Sequence, residues 1–314
     1  MSAALAPEVC APTGLPEALR ARLSAAAVVR ANEPLARRTT LRVGGPAEIF
    51  VEPASEADLA ATLAFAREHG QPWFVLGRGS NLLVRDGGVR GLVISLAHAA
   101  FARITVAATR LHCGAGAKLR DVALAAKRCA LAGLEFLEGI PGSVGGALRM
   151  NAGAYGGWMF DRVETLRVMD AEGRIEELPA AAAGAQYRSC PLLRDRIALG
   201  AVLRGELADR AAIERRMAEC SRQRWSAQPK APSAGCAFKN PATVPAGRLI
   251  DELGLKGTRV GGARVSLEHG NFIVTEADAT ARDVLALLEL IRERARTERG
   301  VELETEIQII GVEP

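Results

Sequence analysis

The sequence predicts an α+β fold in more than one subdomain, and three observations lead there. Residues 39–96 run strand, helix, strand at the spacing of a βαβ unit. Residues 104–179 break that rhythm, with short alternating runs around a single helix. From residue 209 onward, helical patterns precede a terminal strand. A chain of 314 residues is too long for one ordinary core and long enough for two or three subdomains.

The elements follow in order. The first fifteen residues form a loose lead-in. "LPEALRARLSAAAVVRAN" (15–32) reads as a helix. "TTLRVGGPAEIFVEP" (39–53) turns on Gly44, Gly45 and Pro46 into an apolar strand. The helix at 54–70 has Ser55 as N-cap and Gly70 as its stop. "PWFVLGRGSNLLVRDGGVRGLVISL" (72–96) is two strands joined through a glycine turn. A helix at 118–133 separates the short strands of the middle region, and "AEGR" sits where a hairpin turn belongs. A helix at 209–227 opens the third region, ahead of the proline-rich loop "QPKAPSAG". "PAGRLIDELG" (245–254) is a short helix with Pro245 near its first turn. Val284, Leu287, Leu288 and Ile291 recur at i, i+3, i+4, i+7 and predict an amphipathic helix over 280–300. "ELETEIQIIG" closes the chain as a strand.

Composition excludes several classes. Apolar content is 49%, as expected of a globular protein. Net charge is +4 with no block of like charge, so neither nucleic acid nor an anionic membrane is an expected partner. The six cysteines form no C-x-x-C pair and there are four histidines, so no metal site and no disulfide framework is expected. The N-terminal stretch lacks a basic n-region and a sustained apolar run, so no secretory signal is expected. No window approaches the ~18 apolar residues of a membrane span. The expectation is a soluble protein of a reducing cytoplasm.

Two glycine-rich segments point to a ligand. "GRGSNLL" (77–83) follows an apolar strand, and successive backbone N–H groups at such a turn form a nest that suits pyrophosphate. It is not the G-x-G-x-x-G of a Rossmann unit, and alone it reads as a plain turn. "GIPGSVGGALRMNAGAYGG" (139–157) is denser in glycine, yet carries Ile140, Val144, Leu148, Met150 and Tyr155, which a flexible linker would not. Two such loops on neighbouring subdomains would clamp one long dinucleotide. Three further stretches carry reactive groups. Arg188 in "QYRSCP" is a fixed, always-charged donor fork, though alone it reads as a surface arginine. "SAGCAFKNP" places Cys236 close to Lys239 and Asn240. Glu304 and Glu306 share one face of the terminal strand, where a carboxylate is usually solvated.

Taken in order, "TTLRVGGPAE", "LGRGSNLLV", "GIPGSVGGALRMNAGAYG", "YRSC", "SAGCAFKNP", "GRLIDELGLKG…VGGARVS", "HGNFIVT" and "ELETEIQIIG" resemble the UDP-N-acetylenolpyruvoylglucosamine reductases, flavoenzymes of peptidoglycan synthesis. The resemblance covers roughly residues 32 to 312. It implies an FAD-binding architecture of the vanillyl-alcohol-oxidase type: two FAD-binding subdomains (1–98 and 99–208) and a substrate-binding domain (209–314) whose last strand returns to the active site. The short chain between Arg188 and the 209–227 helix looks like the shorter subtype, which lacks an extra tyrosine-bearing loop.

The resemblance also implies the reaction. NADPH reduces FAD and leaves. UDP-N-acetylglucosamine enolpyruvate takes its place, hydride passes from reduced FAD to C3, and a proton reaches C2 to give UDP-N-acetylmuramate. By the same resemblance FAD is held by Gly77, Arg78, Gly79, Ser80, Asn81 and Leu82 and by Gly142, Ser143, Gly145 and Gly146. Asn151, Ala152 and Gly153 lie near the isoalloxazine. Arg188 and Glu306 match the family's motif arginine and glutamate, which stabilise the enolate-like species. Tyr187, Lys239, Asn240 and His269 hold the UDP-sugar.

One position departs from the pattern. The proton donor is commonly a serine in "SAGS", and here it is Cys236. A thiol of pKa ~8.5 is a far stronger acid than an aliphatic hydroxyl, which suits proton donation to C2. Cations at Arg188 and Lys239 are expected to lower that pKa. Two rival readings are another FAD-dependent oxidoreductase of this architecture and a UDP-sugar-binding protein that has lost catalysis.

Overall fold

The computed structural model describes residues 14–314. The expected lead-in lies almost wholly outside them. The helix expected across 15–32 ends early: α1 spans Leu15–Arg20, and β1 takes Val28–Pro34. Two adjacent β-branched residues, Val28 and Val29, favour extended chain. They pair antiparallel with Glu52 and Val51 of β2 (Pro46–Glu52), and that pairing overrides local helix propensity.

The βαβ unit is present. Helix α2 (Glu56–Glu68) starts where expected, with the Ser55 hydroxyl accepting from the Asp58 N–H at 3.0 Å. It leads into β3 (Trp73–Leu76), and after the glycine turn come β4 (Leu82–Val84) and β5 (Val89–Ser95). The sheet order is β1-β2-β5-β3, with β5 parallel to both neighbours. Ile49, Val51, Leu92 and Ile94 face one core, while Phe50 and Val93 face another. Burial on both faces is why these strands read as unbroken apolar runs.

The second body is a five-stranded antiparallel sheet with order β12-β11-β13-β7-β6. Its strands are β6 (Ile104–Ala107), β7 (Arg110–Gly114), β11 (Val163–Met169), β12 (Ile175–Pro179) and β13 (Ile197–Arg204). "AEGR" joins β11 to β12, as expected. Between β7 and β11 lie α3 (Leu119–Arg128), β8 (Leu131–Ala132), α4 (Val144–Arg149), β9 (Gly153–Ala154) and β10 (Gly157–Trp158). After β13, β14 (Glu206–Leu207) pairs with β8. Helix α5 (Arg210–Ala227) differs from expectation. Its Ile213 and Met217 are buried in the same core as Phe136 and Leu137, so it packs on the second body rather than opening the third.

The third body joins β15 (Ser233–Cys236), α6 (Ala246–Glu252), β16 (Arg259–Val260), β17 (Ala263–Val265), β18 (Phe272–Thr275) and α7 (Ala281–Arg299). Val284, Leu287, Leu288 and Ile291 of α7 are buried, as their spacing predicts. Thr280 and Asp283 form a capping box at its start, and Gly300 ends it in the left-handed region at φ 64°. The terminal strand β19 is shorter than expected, Gln308–Ile310, and it does not stay in this body. It pairs in parallel with β4 of the first body. Among the described residues no helix is long and apolar enough to cross a membrane.

Candidate active site

The three bodies meet at their loops. A Cβ added at Gly77 would lie 3.2 Å from the Ser143 hydroxyl, and one at Gly142 would lie 3.7 Å from the Ser80 hydroxyl. The loop after β3 therefore faces the loop before α4. A Cβ on Gly235 would come within 3.9 Å of the Ser80 carbonyl oxygen, which puts the third body against the same loop.

Both loops present unused backbone donors. Among the described residues, the N–H groups of Arg78, Gly79 and Ser80 and of Gly142 and Ser143 find no acceptor. Gly79 and Ser143 are buried and Ser80 and Gly142 half-buried, and N–H groups so placed rarely stay unpaired, so the cluster suits an anion. One donor expected to help, that of Gly145, does not, and neither does its neighbour. Val144 N–H is taken by Ala117 O at 2.9 Å, and Gly145 N–H by Ala115 O at 2.8 Å. Those bonds dock α4 onto the segment after β7.

The charged cluster is built by three chain crossings. Residues 186–189 form a tight turn, closed by Gln186 N–H to Ser189 O at 2.9 Å. Arg188 is its third residue and has φ 54°, a region where glycine is favoured in such turns. The turn is anchored by Asn151, whose Nδ2 donates to Gln186 O at 3.2 Å while its Oδ1 accepts from Phe160 N–H at 3.1 Å. Arg188 Nε donates to Glu306 Oε1 at 2.6 Å, and both side chains are largely buried. Its Nη1 is buried with no partner. Glu306 is fixed on the segment crossing from the third body to the first. Its N–H donates to Ala237 O at 2.9 Å, and its own carbonyl accepts from Asn81 Nδ2 at 3.1 Å. Burial raises the Glu306 pKa; the Arg188 charge and hydrogen bond and the Lys239 charge oppose this without cancelling it.

Cys236 ends β15, paired with Phe272 of β18, and the residue is half-buried. Its pKa is pushed up to about 12, first by burial and then by the Glu306 charge. Arg188 and a hydrogen bond with Asn271 act in the opposite direction and are outweighed. The expected lowering by cations is therefore reversed. Lys239 contributes little to the thiol because its Nζ turns to Glu304.

The structure sorts the remaining expected residues. Tyr187 is half exposed beside Arg188. Asn240 Oδ1 accepts from Ala246 N–H at 3.0 Å, so it caps the start of α6. His269 is engaged locally: its Nδ1 accepts from Asn271 N–H at 3.1 Å and its ring stands edge-on to Phe272. The contacts named for Asn240 and His269 do not reach Arg188, Glu306 or Cys236. Two residues were missed. Asn271, 2% exposed, bonds both the N–H and the carbonyl of Phe238, at 2.9 and 2.8 Å, and so holds the chain just past Cys236. Trp158 lies beside Arg188. A tryptophan directly after a glycine-rich segment, in a chain with three tryptophans, was the available signal for it. Asn271 gives no signal, because a buried polar residue in a strand-like run looks like any other asparagine.

Comparisons with known proteins agree with this arrangement. The family described as "FAD binding domain" matches residues 47–179, which includes both glycine loops. The family described as "UDP-N-acetylenolpyruvoylglucosamine reductase, C-terminal domain" matches residues 228–310, which leaves α5 outside both. A UDP-N-acetylenolpyruvoylglucosamine reductase of Heliobacterium modesticaldum is 46% identical over 89% of this chain and 90% of its own length. The chain belongs to the UDP-N-acetylenolpyruvoylglucosamine reductase family. A second member of the family, from Geobacter metallireducens, is 46% identical over 90% of this chain and 94% of its own. The crystal structure of the Thermus caldophilus reductase superposes with a TM-score of 0.80 at 42% identity, covering 91% of this chain and 100% of that one.

FAD, the cofactor of this reductase, fits what the loops offer. The unpaired N–H groups match a pyrophosphate, and the glycines leave the space it needs. At Gly146 an added Cβ would meet only the Ser143 hydroxyl, at 3.6 Å, so the chain itself leaves room for a methyl group there. Gly146→Ala is therefore expected to fold and to weaken flavin binding by roughly tenfold, about 1.4 kcal/mol. Flavin titration followed by absorbance, with a thermal melt as control, checks this.

Proposed function

We propose that Arg188, Glu306 and Cys236 carry the proton-transfer half of an NADPH-driven reduction of UDP-N-acetylglucosamine enolpyruvate to UDP-N-acetylmuramate. The chain is an FAD-dependent reductase of peptidoglycan precursor synthesis. Bound FAD supplies a two-electron store, filled by NADPH and emptied as hydride to the enolpyruvyl C3. The other tasks fall to the protein.

The two Nη groups of Arg188 make no hydrogen bond among the described residues and are the donors left for the substrate carboxylate, where negative charge grows as C3 becomes saturated. A fixed guanidinium in a half-buried site stabilises that charge without reorganising. Glu306 holds Arg188 through Nε and so fixes which face of the fork is free. Cys236, whose pKa stands at about 12, rests as a thiol near neutral pH. It gives its proton to C2: the S–H bond breaks, a C–H bond forms, and the electron pair stays on sulfur. Arg188 then opposes the thiolate charge, and solvent returns the proton after product leaves. Tyr187 and Lys239 flank the cluster and are the side chains placed to meet the UDP-sugar. A cytoplasmic setting, where NADPH and nucleotide sugars are made, suits this activity.

The observation that carries the reading is the Arg188–Glu306 contact at 2.6 Å, which joins residues 118 positions apart beside Cys236. The test follows the flavin band near ~450 nm under anaerobic conditions. NADPH bleaches it and UDP-N-acetylglucosamine enolpyruvate restores it. A bleached flavin that the enolpyruvyl substrate leaves bleached would overturn the assignment.

A further inference from the structure

We propose that Trp158 is a positioning residue for Arg188: its indole and the Tyr187 ring form one aromatic wall beside the guanidinium and keep its Nη groups directed at the substrate carboxylate. The inference rests on the reading of Arg188 as the cation that meets that carboxylate.

Arg188 Cζ lies 5.4 Å from the Trp158 ring centroid and 5.1 Å from that of Tyr187. The two rings stand edge to face, 5.6 Å apart at 71°. Glu306 holds the guanidinium from a further side. A cation near aromatic rings is attracted by their electron-rich faces, and more strongly where water is excluded. Trp158 is itself fixed. It pairs with Gly153 across the β9–β10 hairpin, and a Cβ at Gly153 would fall 2.3 Å from the indole. Glycine at 153 therefore lets the ring lie against the backbone. The Trp158 N–H donates to Asp161 Oδ2 at 3.1 Å, which sets the start of the following turn. The hairpin that carries Trp158 also ends near Asn151, which anchors the turn holding Arg188.

The aromatic wall answers a specific need. Arg188 sits at a backbone angle that L-residues rarely adopt, on a four-residue turn, with neither Nη hydrogen-bonded among the described residues. A long side chain so placed loses its aim unless something packs beside it. Leucine at 158 would keep apolar volume and remove the π face. Phenylalanine would keep a face.

The experiment is single-turnover reoxidation of the NADPH-reduced holoenzyme by UDP-N-acetylglucosamine enolpyruvate. Trp158→Leu is expected to slow it about tenfold, the scale of a partly desolvated cation–π contact. Trp158→Phe is expected to stay within about threefold. Flavin content, melting temperature and the rate of flavin reduction by NADPH stay at wild-type values. In an Arg188→Met background, Trp158→Leu adds no further slowing, because the two residues act through one interaction. Reoxidation of Trp158→Leu at the wild-type rate would overturn the proposal. So would equal slowing by Leu and Phe, equal slowing of the NADPH step, or full additivity with Arg188→Met. Failure of the wild-type enzyme to reoxidise is a separate result, which overturns the reaction assignment and this proposal together.

Discussion

Cys236→Ala leaves flavin reduction by NADPH unchanged and slows reoxidation by the enolpyruvyl substrate by about 10²- to 10⁴-fold, the range for losing a positioned proton donor. The two half-reactions separate because Cys236 has no part in emptying NADPH. The argument depends on the thiol holding its proton. Burial and the neighbouring Glu306 charge push its pKa up to about 12, so little thiolate exists near pH 7. A thiolate could not donate, and would also be open to oxidation. Cys236→Ser keeps a transferable proton in nearly the same place and is expected to stay within about tenfold of wild type. Stopped-flow absorbance of both half-reactions checks the pair of variants. Equal reoxidation rates in the alanine variant and wild type would remove Cys236 from the chemistry.

Arg188→Met slows the same half-reaction by about 10²- to 10³-fold, the effect of losing one preorganised donor to a developing oxyanion. It also changes how stability depends on pH. Glu306 is largely buried and its pKa is already raised with Arg188 present. Without the guanidinium, the two contributions that hold it down most are gone, and it rises further. A carboxyl with a folded-state pKa above its unfolded value keeps a proton that the unfolded chain has lost. Its stabilisation is full below the unfolded value and fades as pH climbs through the folded one. Arg188→Met is therefore expected to melt closest to wild type near pH ~5 and to fall progressively below it toward pH ~8. Thermal melts across that range check the sign. A melting deficit that shrinks as pH rises would overturn the account of Glu306.

Legibility in the sequence followed the range of the forces involved. Helix α7 was readable because its apolar stripe repeats locally and its cap residues sit at both ends. The βαβ unit was readable for the same reason. Residues 28–34 were not, because their strand exists only through pairing with residues 46–52, and the preceding alanines favour helix. The placement of α5 was hidden likewise: its two core contacts, Ile213 and Met217, give no hint of which body they enter. Arg188 and Glu306 could be named as partners only through the family resemblance, since nothing local joins them. The Cys236 pKa went the other way from expectation because sequence shows nearby cations and does not show burial. Asn271 and Trp158 are defined by three-dimensional contacts alone.

The segment from Glu304 to Ile310 has a consequence for how the enzyme comes into being. Chains emerge from the ribosome N-terminus first, and their early domains begin to fold before the rest exists. The loop at 77–82 is made early, yet Asn81 waits 225 positions for its contact with Glu306, and the edge of β4 waits for β19. A nascent chain can shape a flavin cradle with an open strand edge, but it has no carboxylate to hold Arg188. Catalytic competence thus waits until residues 304–310 have been made and their strand closes that edge.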